Sequence, residues 1–90
     1  MLSESVQQFL ETVNLVCELE ERDAELAGAG QSLFIQLAHA DEEAWSEVFN
    51  QTMAKLGRIR AVRREIAAEL TFLRSSAALQ VLGRHRGSNQ

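Results

Sequence analysis

Apolar residues in this chain recur every three or four positions, the period of an α-helix that turns one face to a core. From Ser3 to about Ala27 they fall at Val6, Phe9/Leu10, Val13, Val16/Cys17, Leu19 and Leu26, while Glu11, Glu18, Glu21 and Glu25 take the opposite side. Ser3 or Ser5 can cap this first helix, and Ser5 with Gln8 has capping-box spacing. Gly28-Ala29-Gly30 then reads as a stop, since paired glycines just past a helical run suit a C-terminal cap and turn. Ser32 opens a short, nearly all-apolar segment, Leu33 to Ala38, which predicts a brief helical piece over about 32–39.

The most regular pattern follows. Asp41 is a good N-cap, with Glu42 and Glu43 where the helix dipole favours acids. The seam then runs Trp45, Phe49, Thr52, Leu56, Ile59, Val62/Arg63, Ile66, Leu70, Leu73 and Ala77. From Phe49 onward the steps average near 3.5 residues, the spacing of a coiled-coil flank. A long helix is predicted over about 41–82, either continuous or bent at Gly57, because one glycine permits a bend without requiring it. Gly83 is a natural stop, and residues 84–90 read as a disordered basic tail. The chain has no proline and no run of alternating β-formers. The expectation is one all-α domain over residues 1–83: an antiparallel helical hairpin, or a small three-to-four-helix bundle, with one long C-terminal helix.

Charge sharpens the pairing. The net charge of −4 conceals 11 acids and one base in residues 1–47, against 2 acids and 8 bases in residues 48–90. An acidic first helix beside a basic long one explains this without a partner, since many weak surface pairs together select an arrangement. The alternative is that one half is a charged surface for another molecule.

Candidate chemistry is sparse. Cys17 has no His three or four residues away and reads as a small buried hydrophobe. A single cysteine forms no intrachain disulfide, which fits a reducing, cytoplasmic setting. His39 and His85 belong to no metal-spaced cluster. The Gly-Ala-Gly follows no strand and lacks the ending of a phosphate loop. No cofactor, metal or enzymatic activity is expected. Met1-Leu2-Ser3-Glu4 shows neither the basic nor the apolar region of a secretory leader, and no apolar run is long enough to span a membrane. Lys55, Arg58, Arg60, Arg63 and Arg64 form a basic band, which a nucleic-acid reading would place in a groove. The acidic overall charge and the missing helix-turn-helix argue instead for a charge match within the chain or with a protein. Trp45 and Phe49 lie one turn apart, either in the core or as an anchor for a docked helix.

Two pieces resemble flagellar type III export chaperones of the FliT and FlgN type. Leu37-Ala38-His39-Ala40-Asp41-Glu42-Glu43-Ala44-Trp45-Ser46-Glu47-Val48 is similar to the place where one helix of that family ends, two acids open the next and a Trp follows. Arg63-Arg64-Glu65-Ile66-Ala67-Ala68-Glu69-Leu70-Thr71-Phe72-Leu73-Arg74-Ser75-Ser76-Ala77-Ala78-Leu79-Gln80 is similar to its last helix. The tail aromatic of that family is missing here, and the two pieces stand closer together. The resemblance covers about half the chain and rests on general helical patterns. It implies a helical cytoplasmic chaperone that holds an amphipathic segment of a secreted or axial substrate by helix-in-groove packing. Trp45, Phe49, Leu56, Ile59, Ile66, Leu70 and Leu73 are the expected partner-facing or core positions. The competing readings are a homodimeric helical scaffold without a client and a nucleic-acid-binding regulator.

Overall fold

The computed structural model describes residues 3–88, with side chains for residues 3–80. Among the described residues two helices make the fold: α1 over Glu4–Ala38 and α2 over Trp45–Ser88. They lie side by side as an antiparallel hairpin 72 Å long and 14 Å thin. The all-α expectation holds, and the hairpin stands where three or four helices were the alternative.

Each helix keeps an unbroken repeat. On α1, Phe9, Thr12, Val16, Leu19, Asp23, Leu26, Gly30, Leu33 and Leu37 are buried or half-buried. These positions alternate steps of three and four without a skip. On α2 the same alternation carries Thr52, Leu56, Ile59, Arg63, Ile66, Leu70, Leu73, Ala77 and Gln80, of which Thr52, Leu56, Ile66 and Leu70 are buried. This is the seam of a two-stranded coiled coil. Register is read from two contacts. Leu56 lies over Gly30, and Asp23 bonds Arg63. Both pairs straddle residue 43 in the connecting turn.

The helix stop expected at Gly28-Ala29-Gly30 does not form. Neither glycine has a positive φ, and α1 passes straight through to Ala38, absorbing the short segment expected over 32–39. A glycine inside a helix costs only about 1 kcal/mol. The seam continues across it through Leu26, Gly30, Leu33 and Leu37, so packing against α2 outweighs the local cost. Gly57 likewise sits inside a continuous α2. The backbone of α2 runs past Gly83, the expected stop, to Ser88; Asn89 and Gln90, the last residues of the expected tail, lie outside the described residues.

The helix ends follow simple chemistry. Ser3 rather than Ser5 caps α1, its Oγ accepting from the Val6 N–H at 3.3 Å. At the far end the His39 N–H is shared between the carbonyls of Ile35 and Gln36, each at 3.2 Å. Asp41 lies one turn ahead of α2: its carbonyl accepts from the Ala44 N–H at 3.1 Å and closes a tight turn. The helix proper then begins at Trp45, and Glu47 is the acid of its first turn.

Candidate interaction surface

The seam consumes part of what the sequence offered as a binding face. Leu56, Ile66 and Leu70 are buried, and Ile59 and Leu73 half-buried, so these five form the hairpin's own core. Trp45 and Phe49 remain exposed, at 44% and 36%. Their rings stack at 5.1 Å between centroids and 18° between planes. They stay open because α1 ends at Ala38 and, among the described residues, no further helix reaches over the start of α2. Asp41, Glu42, Glu43 and Glu47 surround this stack in sequence and, among the described residues, form no ion pair. The turn end of the hairpin is therefore an aromatic patch in an acidic field.

The basic band is divided. Lys55 and Arg58 line a shallow groove with Ala29, Ser32, Leu33 and Gln36 on one flank. Arg60, Arg63 and Arg64 line another with Asp23 and Ala67. Arg63 Nε donates to Asp23 Oδ1 at 2.9 Å and its Nη2 to Oδ2 at 3.3 Å, a two-pronged bond inside the seam. That hydrogen bond holds the Asp23 carboxyl below the usual carboxylate range, against an opposing push from burial. Arg74 reaches Glu20 at 2.7 Å. The latter pair sits off level, with Arg74 further from the turn than Glu20. Side chains lean toward the N-terminus of their own helix, so in an antiparallel pair these two lean toward each other. The acidic and basic halves thus meet within the chain.

A second feature is invisible when α1 is treated as having one apolar face. Beside the seam runs a parallel stripe: Val6, Leu10, Val13, Cys17, Glu20, Ala24, Ala27, Gln31 and Phe34, again in steps of four and three. Glu20 and Arg74 bridge this same flank. Leu10 and Val13 are exposed, Cys17 is an exposed free thiol, and Phe34 is 52% exposed. Across from Phe34 on α2, Met53 is exposed as well. Glu20 is the one charged residue on the stripe. The signal was present in the sequence as the doublets Phe9/Leu10 and Val16/Cys17, one member of each belonging to the seam and the other to the stripe. The opposite flank is different: its groove is lined by Leu15, Glu18, Leu19, Glu21, Arg22, Glu25 and Glu69.

Among the described residues no three His, Cys, Asp or Glu side chains converge to hold a metal ion, and no helix is long and apolar enough to cross a membrane. Comparison with family models, curated proteins and solved structures finds no match for this chain.

Proposed function

We propose that this chain is a helical interaction module that holds an amphipathic segment of another protein against the Trp45–Phe49 stack, in the manner of the export chaperones it resembles. The observation that carries the reading is the open aromatic stack at the turn end. An exposed Trp beside a second ring is the kind of anchor that dominates binding at helix-in-groove sites. The acids Asp41, Glu42, Glu43 and Glu47 specify the partner further: a segment with apolar anchors flanked by Lys or Arg complements this end best. A type III secretion substrate is the partner that the resemblance suggests, in the cytoplasm.

The scaffold reading draws on a separate observation, the uncovered stripe of α1, and is compatible with a client at the turn end. A nucleic-acid reading would use Lys55, Arg58, Arg60, Arg63 and Arg64 as one surface; here they are split between two flanks, and Arg63 is engaged by Asp23.

The test uses the single Trp as reporter. A Trp-free basic amphipathic peptide, for example a helical segment of a flagellar axial protein, is titrated into the full chain. Binding should shift Trp45 emission to the blue, and Phe49→Ala should weaken affinity about tenfold or more, as truncating a hot spot does. Emission that does not move with any basic amphipathic peptide, or affinity indifferent to Phe49→Ala, would remove the reading.

A further inference from the structure

The hairpin leaves an unusual amount of surface uncovered. A compact monomer of this 10.0 kDa mass exposes about 5,200 Å². This chain exposes 7233 Å². The surplus is roughly 2,000 Å² per chain against that scaling. Its radius of gyration is 20.3 Å, where a compact chain of this length has about 12 Å. Among the described residues only Leu56, Ile66 and Leu70 are buried apolar side chains, and no large side chain is fully enclosed. Two antiparallel helices with so thin a core gain little against the entropy of ordering the chain.

We infer that a second copy of this chain covers the flank carrying Leu10, Val13, Cys17, Ala24, Ala27 and Phe34, and so closes a four-helix bundle. Two copies meeting over surplus surface of this size bury roughly 2,000–4,000 Å² together, the range of obligate homodimers. The choice of flank follows from charge. On this stripe the only charged residue, Glu20, is already bonded to Arg74, and the bases that share the flank on α2, Arg60 and Arg64 beside Ala67, meet the acidic α1 of the other copy where unlike helices face each other. The opposite flank gathers Glu18, Glu21, Glu25 and Glu69 around its groove, so a contact there would bury four carboxylates of each copy.

Charge also fixes the orientation. α1 carries seven acids against one base, and α2 carries eight bases against three acids. Laying α1 of each copy over α2 of the other pairs unlike helices, whereas α1 over α1 pairs like ones. The matching two-fold axis runs along the helices, so both turns lie at the same end of the bundle. Neighbouring helices are then antiparallel throughout, as in an ordinary four-helix bundle. Phe34 comes to the level of Met53 of the other copy, and the small side chains of Ala67, Thr71 and Ala78 on α2 leave room for Leu10, Val13 and Cys17. The inference is independent of the client proposed at the turn end, since it concerns the chain alone.

Sedimentation equilibrium of the full chain without any partner tests it. The wild type should be a dimer at about 100 µM and dissociate only on dilution, as mass action requires. Val13→Glu should raise the dissociation constant by at least a hundredfold, roughly the effect of burying unpaired charges at a contact. Ala24→Arg should do the same, because it faces Arg60 and Arg64 of the other copy. It replaces one good helix former by another at an exposed site, so the hairpin itself stays intact. Phe72→Glu, on the other flank, should leave the dimer unchanged. Spin labels at Ala40→Cys in a Cys17→Ser background should lie within about 30 Å of each other, because the turns share one end; opposed turns would separate them by roughly 60 Å. A monomeric wild type overturns the proposal, as does a dimer that survives both Val13→Glu and Ala24→Arg or dissociates with Phe72→Glu. Labels about 60 Å apart overturn the orientation.

Discussion

Arg63 meets Asp23 inside the seam of the hairpin, Nε to Oδ1 at 2.9 Å, at a layer where both helices otherwise present apolar side chains. Leu19, Leu26, Ile59 and Ile66 flank the pair along the two repeats. The pair stays partly open to water, Arg63 at 44% and Asp23 at 33% of the side chain, and the best-attested use of a polar layer in an apolar seam is to fix register and partner choice. The pair favours this one alignment because a slip along the seam would part Arg63 from Asp23. Reversing one charge, Arg63→Asp, should therefore lower the melting temperature more than Arg64→Asp on the adjacent exposed site. The double reversal, Asp23→Arg with Arg63→Asp, should recover most of the loss. Thermal melts by circular dichroism order the four chains. A double reversal no better than Arg63→Asp alone would show that the two residues act separately.

The same pair gives a pH dependence of definite sign. Asp23 has a folded-state pKa below its ordinary value. Its contribution to stability is therefore present above the unfolded value near pH 4 and lost as pH falls through the lower folded one. Arg63 is shifted upward, so its share is lost only above its already high ordinary value, beyond the usable range. The gap in melting temperature between wild type and Asp23→Asn should be open at pH 7 and should close as the pH is lowered toward 2. A gap of constant size from pH 7 to pH 2 contradicts the assignment.

Gly28, Gly30 and Gly57 lie in helix interiors with φ values that any residue adopts. At Gly28 and Gly57 an added methyl meets nothing within 4 Å, and at Gly30 it meets Leu56 Cδ2 at an ordinary 3.6 Å. Each substitution to Ala should stabilise the hairpin by about 0.5–1 kcal/mol through helix propensity. In a domain of this size that corresponds to roughly 2–8 °C in melting temperature. Gly30→Ala also fills space under Leu56, so it should match or exceed the other two. A fall in melting temperature at Gly28 or Gly57 would mean that the helices are not continuous there.

Gln80 occupies a half-buried seam position near the open end of the hairpin, and among the described residues its buried Oε1 meets no hydrogen-bond partner. Leaving a buried acceptor unsatisfied costs on the order of 1–3 kcal/mol. Gln80→Leu extends the apolar seam and removes that cost, so it should raise stability by about 1–2 kcal/mol, read from urea midpoints at unchanged slope. A lower midpoint would place the Gln80 amide in contact with water or with a polar group of another chain.

Much of the fold is legible in the residues themselves. The spacing from Thr52 to Ala77 carries the long seam, and the acid–base asymmetry anticipates the Asp23–Arg63 and Glu20–Arg74 pairs. The glycines misled because a stop signal is local, whereas α1 is held across Gly28 and Gly30 by Leu33 and Leu37 packing on α2. Asp41 misled for a similar reason: its carbonyl closes the turn ahead of the helix, and nothing in residue type separates that role from a cap. The outward stripe was hidden because a broad apolar face on one helix reads as one face. Only the position of α2 decides that Phe9 and Val16 are covered while Leu10 and Cys17 are left outside.

Cys17 provides the most direct test that another layer of helix covers this outward stripe. It is the only thiol in the chain and is exposed on the isolated hairpin. Its alkylation rate with iodoacetamide is measured at fixed pH over a range of protein concentrations, against the rate for the chain unfolded in urea. The account predicts protection on the order of tenfold or more at about 100 µM protein, fading on dilution as the copies separate, because a buried thiol reacts only from the open state. Alkylation at the unfolded-chain rate at every concentration would contradict it.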